Sequence, residues 1–110
     1  MRDHKLYLDD ILECIQNIEM FIQEVEYESF VTNKEKLFAV KHALLIIGEA
    51  ANKLPDDVKI MHPEIQWRDI IGLRNKIVHD YFGLQVRLIW KISNQDIPEL
   101  KRVILKMLDE

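Results

Sequence analysis

The stretch Leu8-Asp9-Asp10-Ile11-Leu12-Glu13-Cys14-Ile15-Gln16-Asn17-Ile18-Glu19-Met20-Phe21-Ile22-Gln23-Glu24-Val25 decides the fold class. Its apolar residues Leu8, Ile11, Ile15, Ile18, Ile22 and Val25 return at alternating steps of three and four, which gathers them into one stripe of an amphipathic helix over residues 4–27. A stripe of that length must be buried lengthwise against a neighbouring helix.

The rest of the chain supplies the neighbours. Thr32 followed by Glu35 has the form of a capping box and predicts a second long helix through Phe38, Ala39, Ala43, Leu44, Ile47, Ala50 and Ala51. Gly48 lies inside that helix at a cost of about 1 kcal/mol relative to alanine, so another backbone is expected to pack tightly there. Glu49 beside Gly48 reads by default as a polar residue at a helix interface, the alternative being a buried carboxylate with a specific partner. Pro55 and Pro63 bracket one or two helical turns. A third long helix is predicted from Trp67 to Phe82, with Ile70, Ile71, Leu73, Ile77 and Val78 inward and Gly83 ending it. Val86 to Ile92 forms a fourth segment, and Asp96 with Pro98 opens a last helix through Leu100, Val103, Ile104 and Leu108. Together these predict an all-α, antiparallel four-to-five-helix bundle forming a single domain over residues 1–110.

Composition narrows the function classes. The chain has one cysteine, Cys14, so an intramolecular disulfide and a cysteine-based zinc site are both excluded, and a reducing, cytoplasmic setting is expected. The N-terminal residues lack the pattern of a signal peptide, and the apolar run from Ala43 to Gly48 is too short to cross a membrane. His4, His42, His62 and His79 never stand four apart on a helix, so neither a metal nor a cofactor is expected. The net charge of −4 is unevenly spread. Residues 1–31 carry two basic against eight acidic side chains, a net of −6, whereas residues 66–91 carry five against two, a net of +3. An anionic ligand is therefore drawn to the second region, although a solvated helix face accounts for the same charges.

That region contains Arg74-Asn75-Lys76-Ile77-Val78-His79-Asp80-Tyr81. A guanidinium, an imidazole and a phenol within eight residues suffice for phosphate chemistry without metal. On a continuous helix Arg74 and Tyr81 differ by about 20° and share a face, while His79 is offset from Arg74 by about 140°. Asn75, one turn before His79, is placed to hydrogen-bond the imidazole or a shared phosphate. A two-fold dimer facing this helix against its copy would assemble two such sets. RNA carries its own nucleophile, the 2′-hydroxyl. Its cleavage requires a base for that proton, a cation for the charged phosphorane and an acid for the leaving 5′-oxygen, roles that histidine and arginine can fill.

The string Arg74 to Tyr81 resembles the Arg-(four residues)-His-x-Tyr motif of the HepT-like branch of the HEPN superfamily. Ile46-Ile47-Gly48-Glu49-Ala50-Ala51, Trp67-Arg68-Asp69-Ile70-Ile71-Gly72 and Asp80-Tyr81-Phe82-Gly83 also look like that family, so the resemblance spans nearly the whole chain. It implies a dimerising helical bundle acting as a metal-independent endoribonuclease toxin of a type VII-like toxin-antitoxin system, paired with a minimal nucleotidyltransferase (MntA-like) antitoxin. It further implies Arg74 and His79 as the catalytic pair, Asn75 as their support and Tyr81 as the hydroxyl that receives AMP. Adding AMP would place a bulky anion beside Arg74 and block RNA.

Plainer readings stand beside these. Arg74 fits a salt bridge to Asp80 or to an acidic helix, His79 a structural histidine near a helix C-terminus, and Tyr81 the edge of the core. Trp67 and Trp90 read as core or dimer anchors rather than base-stacking platforms. The alternative function is a non-catalytic HEPN-like subunit that binds nucleotides or presents substrate to a nucleotidyltransferase.

Overall fold

The computed structural model describes residues 3–80 and 85–110. Every regular element among the described residues is a helix, with no strand. Helix α1 (His4–Ile22) starts where the Asp3 side chain accepts a hydrogen bond from the Lys5 amide at 3.0 Å. Its stripe residues Leu8, Ile11, Ile15 and Ile18 are fully buried. Each such side chain contributes roughly 1.5–3 kcal/mol relative to an exposed one. The helix stops before the predicted Tyr27: Ile22 and Val25 are only half-buried, and Glu24 takes a left-handed backbone conformation with φ of 58° that breaks the ladder.

A short helix, α2 (Tyr27–Thr32), follows and inserts Phe30 into the core. The expected capping box at Thr32 is absent. Thr32 is the last residue of α2, and its hydroxyl donates backwards to the Ser29 carbonyl at 3.2 Å. Asn33 caps α3 (Lys34–Lys53) instead, accepting from the Lys36 amide at 3.0 Å. Phe38, on this helix as expected, is 62% exposed.

Helix α4 (Asp56–Ile60) lies between the two prolines, and α5 (Trp67–Val78) begins after them. Trp67 is buried, and its indole N–H donates to the His62 carbonyl at 3.0 Å, which makes it a core anchor. Helix α5 ends at Val78, with His79 as its C-cap, well before the predicted Phe82. The expected ending at Gly83 lies outside the described residues. Ile70 and Leu73 are buried, whereas Ile71, Ile77 and Val78 are only half-buried.

Helices α6 (Val86–Lys91) and α7 (Ile97–Asp109), separate segments by sequence, form one continuous rod. They are joined by a π-helical turn over Ile92–Asp96 in which the Ile97 amide donates to the Ile92 carbonyl. Pro98 has no N–H and its ring crowds the carbonyl four residues earlier, so the widened turn stands where an ordinary helix would be strained. Ser93 and Asn94 donate side-chain hydrogen bonds to the Ile89 and Trp90 carbonyls, each at 2.8 Å, compensating for the displaced ladder. Trp90 packs on Phe30 with ring centroids 4.9 Å apart.

Helix α3 lies between α1 and α5, and α7 covers α1. The pairings run antiparallel. Lys5 reaches the Glu110 carbonyl while Lys101 reaches Glu19, and Lys41 meets Asp80 while Glu49 meets Arg74. No helix among the described residues is long and apolar enough to cross a membrane.

Candidate functional site at the crossing of α3 and α5

Gly48 fixes how closely α5 approaches α3. A β-carbon there would lie 2.9 Å from the Arg74 amide nitrogen and 3.1 Å from the Ile70 carbonyl oxygen, so only glycine allows this approach. The expected tight backbone contact is present, and its partner is the turn of α5 that carries Arg74.

From that crossing the polar side chains form a connected chain. Glu49 accepts from the Arg74 Nε–H at 2.8 Å, with both side chains about half exposed. Arg74 Nη1 donates to Asn75 Oδ1 at 3.2 Å. The Asn75 carbonyl accepts from His79 Nδ1 at 2.9 Å. A carbonyl can only accept, so Nδ1 carries the proton in this bond, and in the neutral ring the lone pair lies on Nε2. Asn75 thus touches both Arg74 and His79, through its side chain and its backbone respectively.

The end of α5 is held separately. Asp80 is buried, and its carboxylate meets Lys41 of α3 at 3.0 Å, while Lys41 also approaches the Asp80 carbonyl at 3.4 Å. The salt bridge considered for Arg74 therefore forms with Glu49, and Asp80 pairs with Lys41. His79, one residue before this clamp, is exposed. Tyr81 lies outside the described residues. The expected face shared by Arg74 and Tyr81 therefore also lies outside the described residues.

Between the two helices opens a groove of about 370 Å³ lined by Gly48, Glu49, Asn52, Ile71, Arg74 and Asn75. Such a concavity, walled by two carboxamides, a carboxylate and a guanidinium, suits a polar, anionic ligand bound through arginine.

A family model described as ribonuclease HepT-like matches residues 11–107. The chain belongs to the HepT-like ribonuclease family. A Thermococcus cleftensis protein named "Probable ribonuclease HepT" is 50% identical over 91% of each chain. The Methanocaldococcus jannaschii protein "Putative RNase MJ1216" is 38% identical over 99% of this chain and 90% of its own length. "Putative RNase TTE0752" of Caldanaerobacter subterraneus is 32% identical over 100% of this chain and 98% of its own. No solved structure matches the HepT-like chain significantly.

Two lining residues of this HepT-like groove, Glu49 and Asn52, do not stand out as site residues in the sequence. Gly48 is the available signal: a glycine that brings two helices together also brings its neighbours on α3 to the opposing helix. Without a partner for α3, nothing in the sequence connects Glu49 to Arg74.

Proposed function

We propose that this chain is a metal-independent endoribonuclease, a single HEPN-like domain that works as a homodimer with Arg74 and His79 as its catalytic pair. The observation that carries this reading is the polar chain through Asn75, which fixes the His79 tautomer and ties the imidazole to the Arg74 guanidinium. The names of the relatives support RNA as the substrate.

In the reaction, the 2′-oxygen attacks the neighbouring phosphorus, the bond from phosphorus to the 5′-oxygen breaks, and the products carry a 2′,3′-cyclic phosphate and a 5′-hydroxyl. Nε2 of His79 accepts the 2′-hydroxyl proton, and the imidazolium so formed can return a proton to the departing oxygen. Arg74 stabilises the charge on the equatorial oxygens. Facing α5 against its copy places two sets in one cleft. The wider reading is that of a toxin restrained by a minimal nucleotidyltransferase antitoxin that attaches AMP to Tyr81.

The test is cleavage of total tRNA and of a sequence-matched DNA in EDTA by wild type and His79→Ala, with end-group analysis. RNA-only cleavage that leaves cyclic phosphate and disappears in the variant is expected. A folded, unmodified dimer that cuts nothing would transfer support to a nucleotide-binding subunit.

A further inference from the structure

Glu49 is anionic and lies in the groove proposed to receive an anionic substrate. A carboxylate there repels phosphate, so its position demands a compensating role. The geometry of Arg74 supplies one. Of the five N–H groups of the guanidinium, Glu49 takes the one on Nε and Asn75 takes one on Nη1. Among the described residues, Nη2 and the second Nη1 hydrogen have no protein partner. They lie on the two terminal nitrogens, through which a guanidinium can grip two phosphate oxygens.

An arginine side chain is otherwise free to turn about several bonds. Here two acceptors on adjacent corners, one from each helix, hold the plane of the guanidinium. Arg74 and Glu49 are both about half exposed, where an ion pair adds little to stability, so orientation is the larger consequence of the contact.

We infer that Glu49 is a positioning residue for Arg74: it occupies the Nε edge, directs the Nη edge to an RNA phosphodiester, and weakens ground-state binding by its charge. This rests on the reading of Arg74 as the phosphate-binding cation. The role needs an acceptor oxygen at Glu49, whereas the repulsion needs the charge, so alanine and glutamine separate them. Glu49→Gln retains an oxygen for the Nε–H and loses the charge; Glu49→Ala loses both.

Two readouts do not depend on cleavage. The first is the Arg74 Nε–H resonance in a ¹⁵N-correlated spectrum, assigned by its loss in Arg74→Lys. It should be protected from solvent exchange in wild type and in Glu49→Gln, and exchange-broadened in Glu49→Ala. The second is affinity for a 2′-O-methyl oligoribonucleotide, which cannot be cut. Glu49→Gln should bind about three- to tenfold more tightly than wild type. In cleavage, Glu49→Ala should lose kcat on the order of 10- to 100-fold without a rise in KM. Glu49→Gln should restore kcat to within about threefold of wild type and lower KM.

A rapidly exchanging Nε–H in wild type, or an unchanged or raised kcat in Glu49→Ala, overturns the inference. So does a Glu49→Gln variant as impaired as Glu49→Ala, because the charge itself would then be required. If wild type cuts no RNA, the cleavage reading fails while the resonance and the oligonucleotide affinity still decide the role of Glu49.

Discussion

Gly48 and Arg74 belong to different helices, and nothing but glycine's missing β-carbon lets the backbone of one lie against the amide of the other. Gly48→Ala should therefore destabilise the fold despite alanine's advantage of about 1 kcal/mol in a helix. Overpacking costs about 1–3 kcal/mol at such contacts, so a melting temperature lower by about 5 °C is expected. Gly72, on the opposing helix, has open space where a β-carbon would stand, with no neighbouring atom within 4 Å, and Gly72→Ala should raise the melting temperature by a few degrees. Thermal unfolding of both variants checks the contrast; equal shifts would refute the close crossing.

Lys41 and Asp80 should matter to stability more than the half-exposed pairs do. The Asp80 side chain is 2% exposed and the Lys41 side chain 13%, so Lys41→Met removes a cation 3.0 Å from a buried carboxylate. A loss of about 3 kcal/mol is expected in urea unfolding, with Lys41→Arg much closer to wild type. Glu19→Ala, which breaks an exposed pair with Lys101, should cost less than about 1 kcal/mol. Because Asp80 follows His79 directly, Lys41→Met should also reduce RNA cleavage at temperatures where the variant remains folded.

The site variants should separate activity from folding. Arg74 and His79 are exposed, so Arg74→Ala and His79→Ala should abolish cleavage while shifting stability by no more than about 0.5 kcal/mol. Circular dichroism melts beside the cleavage assay test this. Tyr81→Phe should keep much of the activity and lose antitoxin-dependent AMP attachment, read by intact mass; a label that persists would remove Tyr81 as the acceptor.

Cys14 provides a prediction about pH. Burial, followed by the charges of Glu13 and Asp10, pushes its thiol from an ordinary 9.0 up to about 11. The unfolded chain therefore loses this proton first as pH rises. The folded state carries no penalty from Cys14 below pH 9, and stability should decline between pH 9 and 11. Cys14→Ala should flatten that decline in melts across the range. At about pH 8 the folded thiol should react with iodoacetamide about 100-fold more slowly than the unfolded one, in line with its thiolate fraction.

The regular parts of this fold are legible because they are periodic. The spacing of Leu8, Ile11, Ile15 and Ile18 specifies a buried face, and an interior glycine specifies a close crossing, with no further information needed. The boundaries are less legible because local patterns compete there. Thr32 and Asn33 are both good caps, and the choice depends on Phe30 being drawn into the core ahead of them. Helix α5 ends at Val78, two residues before Asp80, which meets Lys41, a residue 39 positions away that no local pattern brings into view. Arg74, Asn75 and His79 are recognisable as a cluster, but the pairing of Arg74 with Glu49 exists only after two helices have met.

The π turn also settles a mismatch of phase. Ile92 and Ile97 are both buried, yet five residues on an ordinary helix would rotate one away from the other by about 140°. The wider turn absorbs the surplus residue, and the apolar stripe resumes on the same side through Leu100, Val103 and Ile104. A chain one residue shorter between them would bring the two isoleucines four apart, almost in line on a regular helix. Residues 92–96 are thus the segment of the rod where a one-residue change in length can pass without turning the buried face outward.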